Sequence, residues 1–178
     1  WGLYRCLLGF ALPLVPAGAA SMMVQVIDRP ILKALTNDAV VGVYQANYRL
    51  GIFMMMVVNM FDAAWRPFFL QRSAKHGAEK VFARVLSYFV AGSAFLVLAV
   101  TLLIPTVVAL PLGHGRTLIH ADYWGGLALV PVVTLGYLFN GVYINMLAAV
   151  TLAKRSDRVA YATALGAIVN VGANLLWI

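Results

Sequence analysis

A chain of 178 residues that is 63% hydrophobic and 11% charged cannot cover a soluble surface, because soluble domains carry about 25% charged and about 45–50% apolar residues. The length allows one domain, and lipid must be the solvent for most of it. The net charge of +7 does not point to nucleic acid, since the cations stand in short clusters between apolar runs, the pattern that sets membrane orientation.

Five charge-poor runs predict an all-α, polytopic membrane helix bundle with spans at about 6–27, 39–61, 85–110, 124–151 and 159–178. A spanning helix needs about 20 apolar residues. The runs are too long and too continuously apolar for barrel strands, which need about 9–11 alternating residues.

The first span holds Cys6, the sole cysteine, which therefore has no internal disulfide partner. Pro13 and Pro16 predict a kink, because proline removes a backbone donor. Pro30 disfavours helical geometry at Arg29, so the span is expected to stop at Asp28-Arg29. Ser21, Gln25 and Asp28 lie on one helix face at i, i+4 and i+7. That face suits a hydrophilic path, or more simply a helix end held by local hydrogen bonds and an ion pair.

The second span has a single charge, Arg49, about ten residues in, which places it near mid-membrane at about 1.5 Å per residue. Gln45 precedes it by one turn, and Met56 and Asn59 follow on the same broad side. An arginine at that depth must face protein, water or an anion, because facing lipid costs at least about 2.5 kcal/mol. One reading is an anion site in a central cavity, since the guanidinium fork matches phosphate oxygens. The other is a buried ion pair with an acid from another helix, either in this chain or in the missing half of the protein. Asp62 and Arg66, one turn apart near the end of this span, are read as an interfacial pair.

The third run is longer than one span, and Pro105 and Pro111 are expected to mark its outer end. Asn140 and Asn145 in the fourth span read as packing amides. So does the fifth span's stripe of Ala162, Gly166, Asn170 and Asn174, since small residues let membrane helices approach closely.

The connections alternate in charge. Arg5, the 66–84 segment and the 154–158 segment are basic, whereas 28–38 and 112–122 are nearly neutral. Positive charge stays on the cytoplasmic side, so the basic connections are expected inside and the neutral ones outside, which five spans satisfy. The chain begins at Trp1 and closes inside an apolar run at Ile178, so it is expected to be a piece of a longer protein, with no secretory signal. No N-x-[ST] site is present. His114 and His120 lack further ligands at metal-site spacing, and no phosphate loop, HExxH, GxSxG or CxxC occurs. The expectation is no catalytic residue, no metal and no cofactor.

Several stretches in order carry a resemblance. Phe10-Ala-Leu-Pro-Leu-Val-Pro-Ala-Gly18 followed by Asp28-Arg29 resembles the "FGLPLVPAGL…DR" opening of the second helical bundle in polysaccharide biosynthesis flippases. These belong to the multidrug/oligosaccharidyl-lipid/polysaccharide (MOP) exporter superfamily. Val41-Gly-Val-Tyr44 through Tyr48-Arg-Leu-Gly51 is similar to its "VGIYSLAYKLG", and Phe61-Asp-Ala-Ala-Trp-Arg-Pro-Phe68 to its "F..AW.PF". Leu135-Gly-Tyr137, Gly141, Tyr143 and the basic turn Lys154-Arg155 also fit.

The resemblance covers nearly the whole chain. It implies the seventh to eleventh of twelve or more spans, packed in the full protein against a first bundle around a central cavity. It further implies a multi-pass protein of the bacterial cytoplasmic (inner) membrane. Its work would be to flip undecaprenyl-pyrophosphate-linked oligosaccharide for surface polysaccharide such as O-antigen, capsule or exopolysaccharide, by alternating access. Arg49 falls on the position that is basic in "YKLG" and inherits contact with the pyrophosphate. Gln45, Gln25, Asp28 and Asn59 complete the expected substrate-binding set. Asp62 and Arg66 fill variable positions of "AW.PF" and inherit nothing.

Three other classes have discriminating marks. A drug/cation antiporter wants mid-span acids, and Asp28 and Asp62 lie at span ends. A membrane glycosyltransferase or ligase wants acidic catalytic residues and a large outer loop. A non-transporting scaffold wants Arg49 paired with a buried acid. Without its first bundle the chain is not expected to fold stably, because Arg49 and the polar stripes would face lipid.

Overall fold

The computed structural model describes residues 2–12, 14–113, 116–152 and 156–177. The chain is all-α, apart from one short hairpin. It divides into two units, residues 1–41 with 147–178, and residues 42–146.

The first unit contains α1 (Gly2–Ala11), α2 (Leu14–Val26), α3 (Asp28–Leu35) and, at the other end of the chain, α7 (Ser156–Trp177), with α2 lying along α7. The predicted span 6–27 is thus two helices. Pro13 lies outside the described residues. Pro16 sits in the first turn of α2, where a missing N–H leaves no hydrogen bond unmade. The stop expected at Asp28-Arg29 is not made: Asp28, Arg29 and Pro30 form the first turn of α3, where proline is tolerated, and Ile27 before them keeps helical dihedrals (φ −64°, ψ −29°), its N–H donating to the Met23 carbonyl at 2.9 Å and its carbonyl accepting from Ile31 N at 3.2 Å. Thr36 closes α3, its Oγ1 and its N both donating to the Leu32 carbonyl at 2.6 and 2.9 Å.

Along α7 the half-buried positions are Val159, Ala160, Thr163, Ala167, Asn170, Val171, Gly172 and Asn174. Ala162 and Gly166 are exposed, so the expected small-residue stripe is turned away from the packed side over its first half. The two asparagines bond along the helix, Asn174 Nδ2 donating to the Asn170 carbonyl at 3.0 Å and to its Oδ1 at 3.2 Å.

The long helix α4 (Asp38–Arg72) starts where Asn37 Oδ1 accepts from the Val40 N–H at 3.0 Å, a side-chain cap that satisfies an otherwise orphaned donor. It has 35 residues, about 52 Å at 1.5 Å per residue, and outruns the predicted 39–61 because nothing between 61 and 72 stops it. Pro67 is carried within the helix on an exposed side.

The second unit packs most of α4 against α5 (Ala78–Val108) and α6 (Leu129–Leu152). Met54 and Val58 of α4, Phe89 of α5 and Leu138 of α6 form its buried centre. Two glycines allow the close approach. A Cβ at Gly51 would meet the Val133 side chain, and one at Gly141 would meet the Phe89 ring.

The basic 66–84 connection is mostly helical, since α4 ends at Arg72 and α5 begins at Ala78. The turn between them closes on Gly77 with φ 76°, a left-handed conformation that glycine adopts without strain. Pro105 lies inside α5 and Val108 ends it. Pro111 instead opens the hairpin of β1 (Pro111–Gly113) and β2 (Arg116–Thr117), which leads to a 3-10 helix, Ala121–Gly126.

Among the described residues three helices are long and apolar enough to cross a membrane: α5 over Ala78–Val108, α6 over Leu129–Ala148 and α7 over Arg158–Leu176. The two other predicted spans fall short for different reasons. The first is divided, and its α2 piece of 13 residues reaches about 20 Å, against a hydrocarbon core of about 30 Å. The second is long enough, but Gln45, Asn47, Arg49 and Asn59 dilute its apolar character.

Candidate functional site: an arginine on a polar stripe of α4

With about 100° between successive residues, the buried positions Asn47, Gly51, Met54, Val58, Trp65 and Phe69 occupy one side of α4. Gln45, Arg49, Met56 and Asn59 fall within about 80° of each other on the opposite side. The shared side read from sequence therefore exists as a stripe directed away from the packing with α5 and α6. Gln45 is half-buried, while Arg49, Met56 and Asn59 are exposed. Among the described residues Arg49 has no ion-pair or hydrogen-bond partner.

Of the other expected binding residues, Asp28 is half-buried in the first turn of α3. The side chains of Gln25 and Ser21 lie outside the described ones. Gln25 belongs to α2 and Asp28 opens α3, with Ile27 between them in helical geometry. Gln25 and Asp28 belong to the first unit, and Gln45, Arg49 and Asn59 to the second.

Arg49 is not midway along its unit. Two residues before it, about 3 Å along the helix, Asn47 is 2% exposed and its Nδ2 donates to the Tyr123 carbonyl at 2.8 Å and the Val43 carbonyl at 2.9 Å. Gly126 lies against the same amide, where a Cβ would collide. The connection that brings Tyr123 there is itself ordered, with Trp124 Nε1 donating to the Ile119 carbonyl at 2.9 Å. Arg49 thus stands just below the 118–126 connection. The opposite end of the packed unit, at Asp62, is about 22 Å from Asn47.

That lower end is aromatic and ion-paired. Arg66 Nε donates to both Asp62 oxygens at 2.9 and 2.8 Å, with Nη2 at 2.7 Å from Oδ2, the interfacial pair expected from the spacing. The Asp62 hydrogen bond, with its charge, raises the Arg66 guanidinium above its ordinary range. Trp65 sits among Phe61, Phe68, Phe69 and Phe82, with ring centroids 5.4–6.0 Å away.

Sequence reasoning passed over Asn47, although it is a polar residue in a charge-poor run, because its partner is a backbone carbonyl far along the chain. It also passed over the hydroxyl pair of Tyr48 and Tyr137, 3.0 Å apart, which ties α4 to α6. Asn140 is exposed rather than packed. Asn145 is buried, its Nδ2 bonding back to the Gly141 carbonyl at 3.0 Å. His114 lies outside the described residues. His120 Nδ1 lies 3.1 Å from Asp122 Oδ2, both exposed. No protein-family model, curated protein or solved structure matches the chain.

Proposed function

We propose that this chain is a five-span part of the second helical bundle of a lipid-linked oligosaccharide flippase of the MOP exporter superfamily. The protein would sit in the bacterial cytoplasmic membrane with Arg5, the 66–84 segment and the 154–158 segment on the cytoplasmic side. Its substrate would be undecaprenyl-pyrophosphate-linked oligosaccharide, moved by alternating access without covalent chemistry.

The observation that carries the reading is Arg49. Its guanidinium is on the outward side of α4, aligned with Gln45 and Asn59 and unpaired among the described residues. Leaving such a group to lipid costs about 2.5 kcal/mol at the centre of a span and less toward its ends, so beside the 118–126 connection Arg49 is suited to meet water or an anion. A pyrophosphate supplies the planar, bidentate oxygens that guanidinium binds best. The lowered apolarity of α4 suits a helix lining a hydrophilic path rather than one surrounded by lipid.

The test replaces Arg49 in the full-length protein, in cells lacking their own flippase, and measures surface polysaccharide beside membrane abundance. Arg49→Ala is expected to abolish export at normal abundance, with Arg49→Lys retaining part of it. Normal export by both variants overturns the anion-site reading.

A further inference from the structure

The side of α5 remote from its packing forms a continuous stripe. Lys80, Arg84, Ser87, Tyr88, Phe95, Leu98 and Leu102 fall within about 100° around the helix, and all are exposed, Tyr88 at 71% and Phe95 at 69%. The buried Ala78, Phe89 and Ser93 lie on the other side. Cations stand at one end of this stripe, a tyrosine follows one turn later, and apolar side chains fill the rest. Arg72 and Lys75 of the adjoining turn bring two more cations to the same end, which is also the positive end of a 31-residue helix. Among the described residues Arg72, Lys75, Lys80 and Arg84 make no ion pair, in contrast to Arg66, which Asp62 already holds. The acid nearest in sequence, Glu79, lies about 100° around the helix from Lys80.

From this geometry we infer that the stripe is a binding surface for an anionic phospholipid of the leaflet that meets this end of α5. The phosphate lies between Lys80 and Arg84, and an acyl chain runs along Tyr88, Ala91 and Phe95. The dimensions agree. Arg84 to Phe95 covers about 16 Å, close to half of a hydrocarbon core of about 30 Å, which is the reach of one lipid in one leaflet. Charge selects the headgroup, since these four cations, without an ion pair among the described residues, attract an anionic lipid over a zwitterionic one. Tyr88 takes the interfacial level that tyrosine favours. This surface is on α5 and does not depend on Arg49 or on the transported substrate.

The test uses the full-length protein in nanodiscs, with a phosphatidylglycerol carrying a photoactivatable group in its acyl chain and a phosphatidylcholine carrying the same group. Cross-links are mapped by mass spectrometry. Phosphatidylglycerol is expected to label the 88–98 region preferentially. Lys80→Gln and Arg84→Gln should each weaken that labelling about fivefold, and together about 25-fold, while labelling of α7 stays constant. Raising salt from about 0.05 to about 0.5 M on the unaltered protein should also weaken it, by shortening the screening length, so the inference remains testable if the double variant fails to fold. Equal labelling by the two lipids, or preference that survives both the double variant and high salt, overturns it. Displacement of the probe by soluble diphosphate at constant ionic strength also overturns it, by showing a site for free phosphate groups instead of a lipid.

Discussion

Removing the Asn47 amide is expected to loosen the 118–126 connection and little else. Asn47→Ala deletes the bond to the Tyr123 carbonyl, a net loss of about 1 kcal/mol for a typical hydrogen bond and of similar size for polar contacts between membrane helices. The side chain is 2% exposed and presses on Gly126, so its loss also leaves a small void, worth roughly 1 kcal/mol more. The sum, about 2 kcal/mol, corresponds to about a 30-fold rise in the opening constant of that connection. Hydrogen exchange of the 121–126 amides in the full-length protein measures this opening directly, because local unfolding controls it. Asn59→Ala is the control. Asn59 is exposed on the opposite side of α4, and its loss should change exchange of those amides by less than about twofold, as for a surface substitution. If the two variants give the same exchange profile, Asn47 does not fasten the connection and the reasoning fails.

Other outcomes follow from the packing. Gly141→Ala should destabilise by about 1–3 kcal/mol through overpacking against Phe89, whereas Gly92→Ala, with open space around it, should be neutral or stabilising by up to about 1 kcal/mol from helix propensity. Equal melting temperatures for the two would contradict the close α5–α6 crossing. Because the Asp62 hydrogen bond and charge raise the Arg66 guanidinium above an already high value, what that shift contributes is fully present at every pH below the guanidinium's ordinary range and is lost only as pH climbs through the still higher folded value. Stability measured between about pH 7 and 10 should therefore respond equally to pH in the native protein and in Arg66→Gln. The 178-residue chain purified alone in detergent is expected to be polydisperse, without a cooperative melt, since Arg49 and its stripe would be left to detergent tails; a monodisperse sample with a sharp transition would refute this.

Composition and apolar run length were enough to indicate an all-α protein with helices long and apolar enough to cross a membrane, because few charges and long uninterrupted runs suit neither a soluble surface nor a barrel. The i, i+4 spacing of Asp62 and Arg66 was likewise sufficient, as a contact within one helix turn depends on no other part of the fold. The shared side of Gln45, Arg49 and Asn59 follows from helical periodicity alone, yet periodicity does not say which way that side faces. Tertiary packing decided it, by turning Met54 and Val58 toward Phe89 and Leu138 and leaving the arginine outward. Packing also decided that the 159–178 stripe is rotated and that Asn47 holds a distant carbonyl. Each of these depends on groups brought together from far along the chain, of which local sequence carries no record.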